Sequence, residues 1–265
     1  MKILFIACYS PMINNSASIE TLMYLNNLCS INNNELHLIT VDFPKESIYY
    51  DKEVYKLLDN RVKVHAISGG KLFEKIMPKK VNKVNNEEII KTRNNKINLV
   101  KKIKNKVVFP DMYYYWSFKA YKYAEELMEK ENFHVIFSMH EPPSSHLCAL
   151  KLKKRFKEVP WILYWSDPWL QDPSRQNIGF LRKIIEGNME RKVVINGDKH
   201  IFVTEENRKE FISKYGIKNK NTFIITRGYD KNSYSKIKNY KKPNLLKNDK
   251  INIVYTGEIF SKLRD

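Results

Sequence analysis

Glycine is scarce in this sequence, eight residues in 265, and cysteine is scarcer still, with three. No GxGxxG or GxxxxGK[ST] follows the first apolar run, which weighs against an ordinary dinucleotide fingerprint or a P-loop. Cys8, Cys29 and Cys148 sit in apolar runs without CxxC spacing or clustered histidines. They are expected to be reduced and packed in a cytoplasmic protein, with neither a disulfide nor a metal role. No apolar run is long enough to span a bilayer; MKILFIACYS holds only about eight apolar residues and reads as a buried strand, so any membrane contact is expected to be peripheral. Acidic residues are also few. Lys+Arg number 47 against 29 Asp+Glu, a net charge of +18 that favours anionic partners. An RNA-recognition signature, zinc spacing and a helix-turn-helix pattern are all missing, which weighs against nucleic acid as a partner.

What is present is an alternation of strand and helix patterns. Lys2 to Cys8 is an apolar strand, followed by the turn-rich SPMINNS and a helix to about Cys29 with Ser16 or Ser18 as candidate N-cap. Strands are expected at Leu36 to Val41, Arg61 to Ile67, Val135 to Ser138, Trp161 to Trp165, His200 to Val203, Phe223 to Thr226 and Ile251 to Tyr255. Helices are expected at Met112 to Lys130, after Pro143, at Phe180 to Val194 and after Thr204. Strands separated by helices imply an α/β, Rossmann-like doubly wound parallel sheet with helices on both faces, in which ligands sit outside the carboxyl ends of the strands.

That rule draws attention to FSMHEPPSSHLCAL. His140 and Glu141 are expected just past a strand and just before a helix N-terminus, where backbone N–H groups can meet an anion. Asp167, in SDPW, takes the equivalent place after the next strand. All three are expected side by side at one rim. A loop histidine is also common as plain structure, Glu141 serves equally as a helix cap, and Asp167 before Pro168 is a common turn. Trp161, Trp165 and Trp169 are read as core packing rather than sugar platforms, and YYYW at Tyr113 to Trp116 likewise. Asp51-Lys52-Glu53 reads as an exposed charged loop.

Taken in order, MKILFIACYSP, ASIETLMYLNNL, HEPPSSHL, WILYWSDPW, NMERKVVINGDKHIFVTEENRKEF, IITRGYD and INIVYTGEIF resemble the N-terminal half of a glycosyltransferase family 4 enzyme of GT-B fold. The resemblance implies sugar transfer from a nucleotide-diphosphate sugar to a glycan or lipid-linked acceptor, usually with retention and without an essential metal or other cofactor. It places His140 near the reacting sugar and acceptor hydroxyl; Glu141 and Asp167 join it as candidate catalytic residues through their places past the strand ends. It places donor phosphates near Asn15, Ser16 and Ala17, in a loop that here lacks glycine, and near Arg264. Arg227 stands in TRGYD where the family usually has asparagine. Residues 1–230 are expected to form the N-terminal domain, 231–250 a linker, and 251–265 the start of a second, donor-binding domain. The alternative is a noncatalytic remnant that binds only acceptor or an anionic membrane.

The surplus charge is uneven. From Lys71 to Lys106 there are twelve Lys or Arg against three Glu, interspersed with apolar residues. This basic insertion, 71–106, is expected either to lie on the anionic inner face of the cell membrane, with Lys79, Lys80, Lys101, Lys102 and Lys104 as contacts, or to be a solvated insertion.

Overall fold

A computed structural model describes residues 1–31, 33–79, 109–172, 175, 178–229, 231, 235 and 249–254. Seven strands, β1 (Lys2–Ile6), β2 (Glu35–Asp42), β3 (Lys63–Ser68), β4 (Val135–His140), β5 (Trp161–Trp165), β6 (Lys199–Phe202) and β7 (Thr222–Ile224), pair in parallel in the order β3-β2-β1-β4-β5-β6-β7. The chain starts in the middle of the sheet, builds outward to β3 and then crosses to β4. The switch point therefore lies between β1 and β4. The doubly wound Rossmann-like α/β class read from the sequence is the one observed.

The helices are α1 (Ser16–Ser30), α2 (Lys52–Tyr55), α3 (Lys71–Ile76), α4 (Tyr114–Lys130), α5 (Ser144–Arg155), α6 (Phe180–Asn196) and α7 (Glu205–Tyr215). Leu25 and Cys29 of α1 pack on Ile3, Phe5, Leu36, Leu38 and Phe137, on one face of the sheet. Helices α4 to α7 cover the other face, where Leu4, Ile6, Ile39, Ile136 and Leu163 meet Trp116, Ala120, Leu152, Val194 and Phe211. Strand residues thus alternate between two buried layers, which is why the strands read as nearly unbroken apolar runs. Trp116, Trp161, Trp165 and Trp169 are fully buried, and Tyr113 nearly so, as packing rather than platform residues. All three cysteines are buried and free.

Several boundaries differ from the sequence reading. The cap of α1 is Asn15, not Ser16 or Ser18: its extended backbone lets Oδ1 accept from Ser18 N at 2.7 Å, the ordinary N-cap geometry. Pro143 occupies the cap position of α5 rather than its first turn. Thr204 caps α7 as expected, accepting from Asn207 N. Asp51 is not in a loop; it caps the single turn of α2 by accepting from Glu53 N at 2.9 Å. β4 continues two residues further than expected, to His140. No strand forms over Ile251 to Val254, whose side chains are exposed, Ile251 at 94%. A single added strand has no partner there to bury it. Tyr255, most of the 231–250 linker, Arg264, and Lys80, Lys101, Lys102 and Lys104 lie outside the described residues, as does most of the basic insertion. Lys79 is exposed, and its backbone forms an isolated antiparallel bridge with Ser47. Among the described residues no helix is long and apolar enough to cross a membrane.

Candidate functional site

The carboxyl ends of β4, β5 and β7 and the first turns of α1 enclose a crevice of about 570 Å³ at the switch point. Ser16, Ala17, Glu20 and Tyr24 line it from α1, Glu141 from the end of β4, Ser166 and Asp167 from the end of β5, and Ile225 to Tyr229 from beyond β7. It sits where an open α/β sheet places its ligands.

The structure brings Glu141 and Asp167 to this crevice but turns His140 away from it. The expectation of all three at one rim side by side is therefore corrected. His140 is still part of β4, and strand alternation sends it with Ile136 and Ser138 toward the α4–α7 layer. It is 2% exposed, with its ring 5.7 Å from His146 and 5.5 Å from Trp165, and neither of its nitrogens has a hydrogen-bond partner among the described residues. Burial, followed by the nearby Arg175 charge, pushes its pKa down to about 3. Only its carbonyl reaches the rim, where it accepts from Ser166 Oγ at 2.6 Å.

Glu141 is the unusual carboxyl in the crevice. Burial pushes its pKa up to about 7, and the negative charges of Asp167 and Asp172 reinforce the effect against the opposing Arg175. A carboxyl poised near neutrality can both give and take a proton at physiological pH. Across from it, Arg227 reaches two carboxylates, with Nε 3.3 Å from Glu20 and Nη2 3.3 Å from Asp167. Glu20 also accepts from Tyr164 Oη at 2.5 Å. Glu20, Tyr24, Tyr164 and Ser166 were not singled out in the sequence. Their roles arise from contacts such as Tyr164 to Glu20, 144 positions apart, for which no local motif exists.

The N-terminus of α5 does not await an anion. Asp111 already fills it, accepting from Ser144 N at 3.0 Å and from Ser144 Oγ at 2.7 Å. Tyr113 N donates to the same carboxylate at 2.7 Å. The neighbouring Ser145 Oγ accepts from Cys8 N at 2.9 Å and so ties the end of β1 to α5. At α1, Asn15 is engaged as the cap, while Ser16 and Ala17 face the crevice.

A group with metal-ligand composition lies at the opposite end of the sheet, where Glu35, His37 and Glu131 converge. Its carboxylates already have cations: Lys63 Nζ is 2.5 Å from Glu35, and Lys2 Nζ is 2.7 Å from Glu131.

Comparison with known proteins gives the crevice a context. Residues 79–233, more than half of the chain, match the model of Glycosyltransferase Family 4. No curated protein matches the chain. Among solved structures, the UDP-N-acetylglucosamine 2-epimerase of Rickettsia bellii aligns at 16% identity and TM-score 0.41 over 84% of this chain and 44% of its own. A glycosyltransferase from Rickettsia africae ESF-5 aligns at 11% identity and TM-score 0.43 over 91% of this chain and 46% of its own. The chain thus spans less than half the length of either structure. On the family match, the chain belongs to Glycosyltransferase Family 4.

Proposed function

We propose that the protein acts in glycosyl transfer from a nucleotide-diphosphate sugar, and that the crevice at the switch point receives the hydroxyl-bearing acceptor, a glycan or lipid-linked sugar. The observation that carries this reading is the balance of groups in the crevice. Three carboxyls, Glu20, Glu141 and Asp167, line it against one guanidinium, Arg227. Carboxylates accept hydrogen bonds from sugar hydroxyls but repel phosphates, so this surface suits the acceptor better than a diphosphate. The acceptor oxygen attacks the anomeric carbon, the bond from that carbon to the diphosphate oxygen breaks with its electron pair, and Glu141 takes the hydroxyl proton. Asp167 and Arg227 orient the acceptor. His140, sealed beneath the rim, shapes the end of β4 and transfers no proton. The diphosphate needs positive charge that the described crevice does not supply beyond Arg227, so donor binding rests on other parts of the full enzyme, with no metal or other cofactor invoked. The basic insertion and a lipid-linked acceptor together favour work at the inner face of the membrane.

The test is nucleoside-diphosphate release from a panel of nucleotide-diphosphate sugars, with oligosaccharides and glycolipids as acceptors. Glu141→Gln is expected to lower turnover at least about a hundredfold, the usual contribution of a positioned acid–base group, while donor KM stays nearly constant. Unchanged turnover in that variant overturns the assignment. Acceptor binding with no nucleotide release from any donor would replace the reading with acceptor capture alone.

A further inference from the structure

The helix α6 is turned inside out with respect to charge. Its two acids, Glu186 and Glu190, are fully buried. Glu186 accepts from Trp169 Nε1 at 2.7 Å and Arg182 Nε at 2.6 Å, and Arg175 also donates to it. Lys214 lies 3.8 Å from Glu190. At about 100° per residue, these acids fall on the arc that holds Val193 and Val194 against the sheet.

The opposite arc, about 140° wide by the same spacing, carries Phe180, Leu181, Ile184, Ile185 and Ile195. All five are exposed, Phe180 at 77% and Leu181 at 74%. The ionisable residues on this arc are Arg191 and Lys192, both exposed and both basic. No carboxylate shares it. A water-facing helix normally shows the reverse arrangement, with acids and bases outward and apolar residues inward. Large apolar side chains exposed in a contiguous patch mark an interaction surface.

We propose that the outer face of α6 docks on an anionic phospholipid bilayer. Charge selects this occupant. A second copy of a chain carrying +18 would bring cation against cation, whereas an anionic lipid surface complements Arg191 and Lys192 while its acyl boundary takes the apolar side chains. The helix leaves the carboxyl rim of the sheet at Gly179, after β5, and returns toward the other edge before β6. Its apolar first two turns, Phe180 to Ile185, therefore lie at the same rim as the crevice, and docking through them sets the crevice mouth at the lipid surface. The surface does not depend on sugar transfer, and its test uses no donor or acceptor.

The experiment is co-sedimentation of the full chain with vesicles of phosphatidylcholine alone or with phosphatidylglycerol, at low and high salt. Binding is expected to require phosphatidylglycerol and to fall with salt. It should drop at least about tenfold in Leu181→Ser/Ile184→Ser, from lost apolar burial. It should drop about fivefold for each of Arg191→Ser and Lys192→Ser. These side chains are exposed, so the variants are expected to keep the parent's thermal midpoint, and Lys192→Glu supplies a charge-only version should the apolar pair fail to fold. Binding unchanged in both kinds of variant would assign attachment to the basic run at 71–106 and overturn the proposal. So would failure of the parent chain to bind, binding indifferent to lipid charge, or a dimer that the apolar substitutions dissolve, which would make this face an interface between copies.

Discussion

Acid should weaken this fold through its buried histidines. His140, His146 and His200 are each at most 2% exposed; the rings of His140 and His146 pack against Trp165, and His146 also meets Trp161 edge-on. Trp165 Nε1 donates to His200 Nδ1 at 3.3 Å, and Trp161 Nε1 and His146 Nδ1 share Ser138 Oγ. Burial lowers all three pKa values, to about 3 for His140, to about 4 for His200 and well below the usual range for His146. In the unfolded chain each titrates near 6.5, so between that value and the folded pKa the unfolded state holds the extra proton. The stability gained by keeping them neutral is full above pH 6.5 and is lost as pH falls toward the folded values. From pH 7.5 to 5, His140 and His200 each cost about 2 kcal/mol, and His146 acts in the same direction. Glu141 works in the opposite direction. With its folded pKa near 7, it destabilises the fold at neutral pH and returns about 2 kcal/mol on acidification. His140 and His200 alone cost about 4 kcal/mol, more than Glu141 returns, so the fold is expected to weaken in acid against a total stability of about 5–15 kcal/mol. Urea unfolding followed by tryptophan fluorescence at pH 7.5 and 5 measures this directly. Glu141→Gln should be more stable than the parent by about 3 kcal/mol at pH 8 and nearly equal to it at pH 4.5, making its acid sensitivity steeper. His140→Phe should be less acid-sensitive by about 2 kcal/mol. A urea midpoint independent of pH over this range, or parent and variants with parallel pH curves, would refute the reasoning.

Two further outcomes follow from contacts around the crevice. Asp111→Ala removes the acceptor for Ser144 N, Ser144 Oγ and Tyr113 N and should lower stability by about 2 kcal/mol, with Asp111→Asn intermediate; an unchanged urea midpoint for Asp111→Ala would show that the cap contributes nothing. Arg227→Asn should change stability by less than about 1 kcal/mol, because its ion pairs are half-exposed, yet raise acceptor KM severalfold in the transfer assay by freeing Glu20 and Asp167; equal KM values would remove Arg227 from the site.

The sheet and its connections were legible because the central strands are buried on both faces and each connection carries a helix. That same burial hid the orientation of His140. In VIFSMH the polar residues Ser138 and His140 alternate with Phe137 and Met139, but both faces are buried, so the alternation does not mark a solvent side; ending β4 at Ser138 instead of His140 converted an inward-facing imidazole into an expected rim group. Glu141 and Asp167 were legible because they lie past strand ends whatever the exact boundary. Asp111 was not, since its partner Ser144 is 33 positions away and nothing near Asp111 marks it as a cap. The crevice has a similar dependence on distant chain: Glu20, Asp167 and Arg227 meet from three separate segments, and only the assembled sheet brings Arg227 within 3.3 Å of each carboxylate.

Charge follows a consistent sign through these features. The chain carries +18 overall, yet the crevice lining carries three carboxyls and one guanidinium, and α6 buries both of its acids. The long-range field therefore attracts anions to the molecule, whereas the crevice itself repels them at contact. A diphosphate drawn in by the first effect is turned away by the second unless cations outside this crevice hold it. A neutral sugar hydroxyl is indifferent to the long-range field and is favoured by the local carboxyls. On the reading proposed above, separation of the two scales divides the work, with the outer basic surface assigned to an anionic membrane and the acidic crevice to a hydroxyl. Glu141 is consistent with that division: burial raises its pKa toward neutrality and the neighbouring carboxylates reinforce the shift, while a phosphate-binding neighbourhood rich in cations would oppose it.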